Sequence, residues 1–344
     1  MITKRIDAGA ASFAEEIPWL ASVIRSGGLV AFPTETVYGL GGNALDREAA
    51  RRIYAAKGRP SDNPLIVHVA SMEDVPLYVK TIAPVQKKLM EQFWPGPLTI
   101  IFDKKEIIPD ETSGGLPTVA MRCPANEATR QIIRVAGVPL AGPSANISGR
   151  PSPTTASAVL SDLDGKIQAV IDDGTCDVGL ESTIVAIEDG TIVIYRPGGV
   201  TEEMLSAIGP VRIDRAILGA GDRPKAPGMK YRHYAPKAPL AIFTGNIEKV
   251  EKAILEEAKK EGRIGFFVST ETAEKLPARH PVFIWGRRDN QREFAHNLFS
   301  GLHYFDSLPV ERIVGEGTNT TGLGLAIMNR LEKASGHHIV VKDA

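Results

Sequence analysis

Residues 223–237 read RPKAPGMKYRHYAPK and cut the chain into two parts with different folding rhythms. The stretch holds three prolines, five Lys or Arg and no acid. Proline lacks a backbone N–H and breaks both helix interiors and central strands, so no regular element is expected there. A solvated tether is one reading. The clustered Tyr231, His233 and Tyr234 favour a basic lid folding over a site, because tethers seldom carry aromatics together. The 344 residues suffice for two domains, expected at 1–212 and 238–344 with the linker at 213–237 between them.

Beyond Pro239 the rhythm is regular. LAIFTG, RIGFFVS, PVFIWGR, ERIVGEG and HHIVVK read as strands, with helical runs at 246–261, 271–276, 289–306 and 322–335 between them. Strands alternating with helices imply a small parallel α/β domain with Rossmann-like winding. The first part mixes its elements. Helices are expected at 14–26, at 46–57 behind an Asp46 N-cap, and at 82–96, stopped by Pro95 and Gly96. ESTIVAIEDGTIVIYRPG reads as a hairpin turning at Asp189-Gly190. Hairpins beside helices argue for a mixed α/β sheet in place of a doubly wound one.

A net charge of -1 makes the chain no polycation, so bulk attraction to nucleic acid is not implied, although a local basic patch is compatible with it. Cys123 and Cys176 form no CxxC pair, which disfavours a zinc site or a disulfide scaffold. No HExxH or Walker pattern occurs, and Asp172, Asp173 and Asp177 beside Gly174 read as turn residues, so no protein-held metal is expected. No signal-peptide core and no apolar run of membrane-spanning length are seen, so a cytoplasmic enzyme without membrane contact is expected.

Three strings carry chemistry: KGRPSDNPL at 57–65, PSANISG at 143–149 and ESTIV at 181–185. In an extended segment Lys57 and Arg59 share a face and make a site for phosphate or carboxylate; the alternative is a solvated helix C-terminus. Ser144, Asn146 and Ser148 alternate likewise, and Ser182 and Thr183 add hydroxyls. In PTETVYGLG a strand would put Thr34, Thr36 and Tyr38 on one face, either for β propensity or as a pocket edge. His68 within LIVHVA is a core or a functional histidine. Arg122 in VAMRCP and Arg196 in VIYRPGG are strand-borne cations with no obvious acidic strand partner, which points to an anionic ligand. The GLG at 322–324 is half a dinucleotide fingerprint or simply tight packing at a helix start.

Taken together, KGR, SAN, PTETVYGLG, ESTIV, APGMKYRHYAP and GLGLAIMNRL resemble the YrdC/YwlC-type threonylcarbamoyl-AMP synthases in their long form. The resemblance covers nearly the whole chain. It implies a twisted mixed α/β sheet with a concave basic face, followed by an extra C-terminal domain. It also implies a nucleotidyltransferase that converts L-threonine, bicarbonate and ATP, with Mg2+, to threonylcarbamoyl-AMP and pyrophosphate. The product would pass to a separate complex that modifies tRNA next to the anticodon. By the family motif Thr36, His68, Arg122, Gly142 and Ser182 would hold threonine or its carbamate. Lys57, Arg59, Asn63, Thr118, Ser144, Asn146, Ser152 and Arg196 would hold ATP, with Lys57 and Arg59 as the catalytic cations. Tyr231, His233 and Tyr234 would close over the nucleotide. Two alternatives are an RNA-binding module using the basic face, and the carbamoyl-transfer domain of hydrogenase maturation, whose zinc-type cysteine pairs are missing here.

Overall fold

The computed structural model describes residues 2–214 and 234–342, which divide into two compact units. The first holds the described residues up to 214, apart from Gly149–Pro151 and Val178–Leu180; those stretches group with the second, which holds the described residues from 234 on.

Among the described residues of the first unit, eleven strands form one sheet. They are β1 (Lys4–Asp7), β2 (Val30–Phe32), β3 (Gly39–Asn43), β4 (Ile66–His68), β5 (Leu98–Asp103), β6 (Thr118–Arg122), β7 (Leu140–Ala141), β8 (Ala169–Asp172), β9 (Thr183–Glu188), β10 (Thr191–Arg196) and β11 (Val211–Ile213). The order is β1-β8-β2-β3-β7-β4-β6-β5-β9-β10-β11. Parallel pairs (β4 with β6, β5 with β9) alternate with antiparallel ones (β5 with β6, β9 with β10), so the sheet is mixed, as expected. The β9–β10 hairpin turns at Asp189 and Gly190, both with positive φ, the conformation a tight hairpin turn demands.

Period-two alternation sorts the strands into two faces. Val67, Leu98, Ile100, Phe102, Val119, Met121, Val185, Ile192 and Ile194 enter the large core. The opposite face has two parts. Around β1, β2 and β8 it is packed under helices Phe13–Arg25 and Glu127–Ala136 through Leu20, Ile24, Ile132 and Phe32. Farther along, Ile66, Ala120, Ile184, Val193 and Tyr195 form a small cluster contributed by strands alone. The chemistry-bearing side chains gather beside that second cluster.

Helix Arg47–Lys57 begins at Asp46, whose carboxylate accepts from the Glu48 N–H, and ends at Gly58 with φ 59. Ala49, Ala50, Ile53, Tyr54 and Lys57 form its buried stripe. Lys57 therefore sits on the last helical turn, buried, and does not share an extended face with Arg59. The residues 33–38 also differ from expectation: they form a loop between antiparallel β2 and β3. Thr34 shapes it, donating to the Val37 carbonyl at 2.7 Å and accepting from the N–H groups of Thr36 and Val37. This side-chain turn competes with strand pairing and wins.

The second unit has five parallel strands: β12 (Leu240–Gly245), β13 (Ile264–Val268), β14 (Val282–Ile284), β15 (Arg312–Glu316) and β16 (Ile339–Lys342). Their order, β14-β13-β15-β12-β16, is parallel α/β winding but differs from the dinucleotide-binding arrangement. A Cβ on Gly324 would lie 2.1 Å from the Asn319 carbonyl oxygen, so the GLG serves close packing at the start of helix Leu323–Ala334.

Gly142, which follows β7, lies against the Phe32 ring: a Cβ there would stand 2.8 Å from Phe32 Cζ and 3.4 Å from His68 Cε1. Gly142→Ala should therefore lower stability by about 1–3 kcal/mol through overpacking. In a Phe32→Leu background the same substitution should cost less. Urea unfolding of the four proteins measures this coupling, and an equal cost in both backgrounds would remove the ring as its cause.

Candidate active site

The buried Arg122, at the end of β6, organises the strand face. Its Nε donates to the Gly96 carbonyl at 3.1 Å, Nη1 to Thr36 Oγ1 at 2.8 Å, and Nη2 to Glu35 Oε1 at 2.6 Å. The last contact is a buried ion pair. The acidic partner that the strand pattern did not reveal is thus a loop residue, Glu35. Its second oxygen accepts from the Ala125 N–H at 3.0 Å. An arginine has five N–H donors, so one on each terminal nitrogen is left for a ligand.

The hydroxyls around Arg122 are interconnected. Thr34 Oγ1 and Thr36 Oγ1 lie 2.8 Å apart, and Thr36 Oγ1 accepts from Arg122 Nη1. The Ser182 Oγ accepts from Arg196 Nη2 at 3.0 Å and lies 2.8 Å from Thr99 Oγ1. Either hydroxyl of that pair can donate to the other, so the Ser182 proton is shared between Thr99 and a ligand acceptor. Arg196 also donates to the Ser182 carbonyl at 2.9 Å.

His68 is the register neighbour of Arg122 on β4. Its ring meets Phe32 edge-on at 5.1 Å, and its buried Nδ1 has no partner among the described residues. Burial first, then the Arg122 charge, push the imidazole down to about 3, so it is neutral. It is both a core histidine and one with an unmet polar atom. Gly142 is fixed by its N–H to the Ile66 carbonyl, 2.8 Å.

A second group follows along the same chain segment. The Lys57 ammonium donates to the carbonyls of Ser144 and Asn146, and the Lys57 carbonyl accepts from the Ser148 N–H. Burial, then the Arg59 charge, lower the Lys57 pKa well below the usual lysine value. Arg59 donates to the Asn63 and Pro64 carbonyls, both at 3.2 Å. Asn63 Oδ1 is buried and without a partner among the described residues. Leaving such an acceptor unmet costs about 1–3 kcal/mol, so it marks a place for a ligand or water. Thr118 lies on the same face as Ala120 and Arg122, and the buried Ser152 donates to Glu181 Oε1 at 2.7 Å, one residue before Ser182.

Of the linker residues, Tyr231 and His233 lie outside the described residues. Tyr234 is buried in the second unit, with φ 65, its ring 5.3 Å from Phe299 and 5.7 Å from the Arg330 guanidinium. Glu35 and Thr99 were not singled out by the sequence, and Thr34 was named only with Thr36 and Tyr38 as a pocket edge. The one available signal was an acid between two threonines in a proline-led loop. Among the described residues no group of three His, Cys, Asp or Glu could hold a metal, and no helix is long and apolar enough to cross a membrane.

Comparison with known proteins identifies the family. Residues 22–198 match a family model, Sua5–YciO–YrdC, described as telomere recombination, and residues 200–336 match one described as threonylcarbamoyl-AMP synthase, C-terminal domain. Among curated proteins, the threonylcarbamoyl-AMP synthase of Pyrococcus abyssi is 47% identical over 329 residues, covering 93% of this chain and 94% of that protein. The enzyme of the same name from Bacillus subtilis is 43% identical, covering 94% of each. The crystal structure of P. abyssi Sua5 complexed with L-threonine superposes with a TM-score of 0.92 at 43% identity, covering 99% of this chain and 100% of that one.

The neutral His68 has a measurable consequence. Its folded pKa, about 3, lies below the ordinary 6.5, so the unfolded chain binds the proton first as pH falls. Stability is then full above about 6.5 and is lost as pH drops, by about 2 kcal/mol between 6.5 and 5. Urea midpoints for wild type and His68→Gln across this range should show a shallower slope in the variant. Parallel slopes would mean that His68 carries its proton in the fold.

Proposed function

The chain belongs to the Sua5–YciO–YrdC family in its two-domain form, and from that premise we propose how its residues make threonylcarbamoyl-AMP. The protein is an L-threonylcarbamoyladenylate synthase, a nucleotidyltransferase in the synthesis of tRNA threonylcarbamoyladenosine. Its substrates include L-threonine and ATP. The single observation that carries the site reading is the buried Arg122, pre-bonded on three sides and still offering donors next to Thr36, His68 and Ser182.

In the proposed mechanism Arg122 takes the amino-acid carboxylate. Thr36 meets an N–H or O–H of the substrate through its remaining lone pair. Ser182 donates to an oxygen of the carboxylate or of the new carbamate. Bicarbonate supplies carbon dioxide by losing hydroxide. The threonine nitrogen forms the N–C bond and loses a proton, which leaves with that hydroxide as water, and the resulting carbamate oxygen attacks the α-phosphorus as pyrophosphate leaves. No covalent enzyme intermediate is required, only orientation and charge stabilisation. Lys57 acts by holding the Ser144 and Asn146 carbonyls, and so the loop that presents their side chains to ATP, together with Arg59, Asn63, Thr118, Ser152 and Arg196. Magnesium is proposed to enter on the triphosphate as part of the substrate, since Mg2+ characteristically keeps its waters and binds through phosphates. Tyr231, His233 and Tyr234 are proposed to close the nucleotide site, excluding water until release. Cytoplasmic action and transfer of the product to a separate tRNA-modifying complex complete the proposal.

The deciding experiment is pyrophosphate release from ATP with and without threonine and bicarbonate. Release should need both, and release independent of threonine would overturn the reading. Lys57→Ala should lower kcat/KM for ATP about thirtyfold to a thousandfold, or ~2–4 kcal/mol, and unchanged turnover would remove Lys57 from the site. Serine should react more weakly than threonine, losing roughly 1 kcal/mol or more for the missing methyl. Valine used as readily as threonine would show that nothing reads the hydroxyl.

A further inference from the structure

Glu35 belongs to none of the roles above, yet among the described residues it is the carboxylate paired with Arg122. Its two oxygens are divided between two anchors: Oε1 on Arg122 Nη2 at 2.6 Å, and Oε2 on the Ala125 N–H at 3.0 Å. Ala125 stands three residues beyond β6, so Glu35 ties the guanidinium to the backbone of its own chain segment. Thr36, the next residue, takes Nη1, and Gly96 takes Nε. A planar guanidinium held at all three nitrogens cannot rotate about its terminal bonds, and the direction of its remaining donors is fixed before any ligand arrives.

We infer that Glu35 is a positioning residue that aims Arg122 at the amino-acid carboxylate. The inference rests on the assignment of Arg122 to that carboxylate. Glu35 would not touch substrate. Its contribution is reach: one side chain spans from the Arg122 terminal nitrogen to the Ala125 amide. A simple counter-charge would work through sign alone, and the two roles separate by substitution. Glu35→Asp keeps the charge but is one methylene too short for both anchors. Glu35→Gln keeps the length but loses the charge and offers one acceptor oxygen where the two N–H anchors need two.

Steady-state kinetics with varied threonine at saturating ATP and bicarbonate, and calorimetric titration with threonine alone, test this on the full chain. Wild-type pyrophosphate release that depends on threonine first establishes the reaction; its failure would count against the functional reading, not specifically against Glu35. Given that reaction, Glu35→Asp should raise the threonine KM and Kd about tenfold or more while kcat falls much less. Glu35→Gln, which loses one anchor as well as the charge, should raise them at least as much. A threonine KM near wild type in Glu35→Asp with a raised KM in Glu35→Gln would make Glu35 a counter-charge, and wild-type KM in both would make it structural; either overturns the inference. Circular dichroism confirms folding. If Glu35→Gln fails to fold, Glu35→Asp, which keeps the buried charge balance, decides alone.

Discussion

The buried guanidinium of Arg122 is the tie on which the first unit's site depends. Removing an arginine from water is costly unless its donors find partners of good geometry. Here the partners come from three places far apart in sequence: the loop at Glu35 and Thr36, the carbonyl of Gly96, and the backbone after β6 through Glu35 and Ala125. Moving any of them strands a buried donor or acceptor, at about 1–3 kcal/mol for a neutral group and more for a charge. The loop, the strand end and the 96–97 segment therefore have one joint arrangement. Thr34 closes the inner side of that arrangement by shaping the loop from within.

Lys57 obeys the same logic from a helix. The stripe 49-50-53-54-57 assigns its position to the core, and the lysine meets that demand by running its stem along the core and capping two carbonyls of the Ser144–Asn146 loop. Carbonyl partners make burial of the ammonium tolerable, and the Asp162 charge favours it too. Under the proposed mechanism a cation that holds a loop in this way would act on a nucleotide through the loop's side chains as well as through its own charge.

Much of the fold was legible. His68 and Arg122 stood out as polar residues within apolar strands, Asp189-Gly190 marked a hairpin, and the strand–helix alternation beyond Pro239 announced a parallel sheet. What stayed hidden was non-local. No pattern within the chain links Glu35 to Arg122, because their pairing follows from how β2, β7, β4 and β6 are ordered, and strand order is not written in periodicity. The loop 33–38 read as strand because threonine favours strands, whereas Thr34 spends its hydroxyl on a local turn. Lys57 and Arg59 read as an exposed pair because two-residue spacing was applied across a helix end, although the stripe beneath Lys57 was already visible.

The site's polar groups are mostly bonded to one another before any ligand arrives, and that bears on what they can recognise. Arg122 retains one N–H on each terminal nitrogen, while Thr36 and Ser182 each accept from an arginine, Arg122 and Arg196. Under the proposed mechanism the carboxylate end of the amino acid would face Arg122, and the neutral His68 beside it would offer an uncharged face to the rest of the small molecule. Dipoles already held in place would not reorganise as charge moves from the carbamate to the leaving pyrophosphate, and this is where a rigid, over-bonded site would lower a barrier that a flexible one would not.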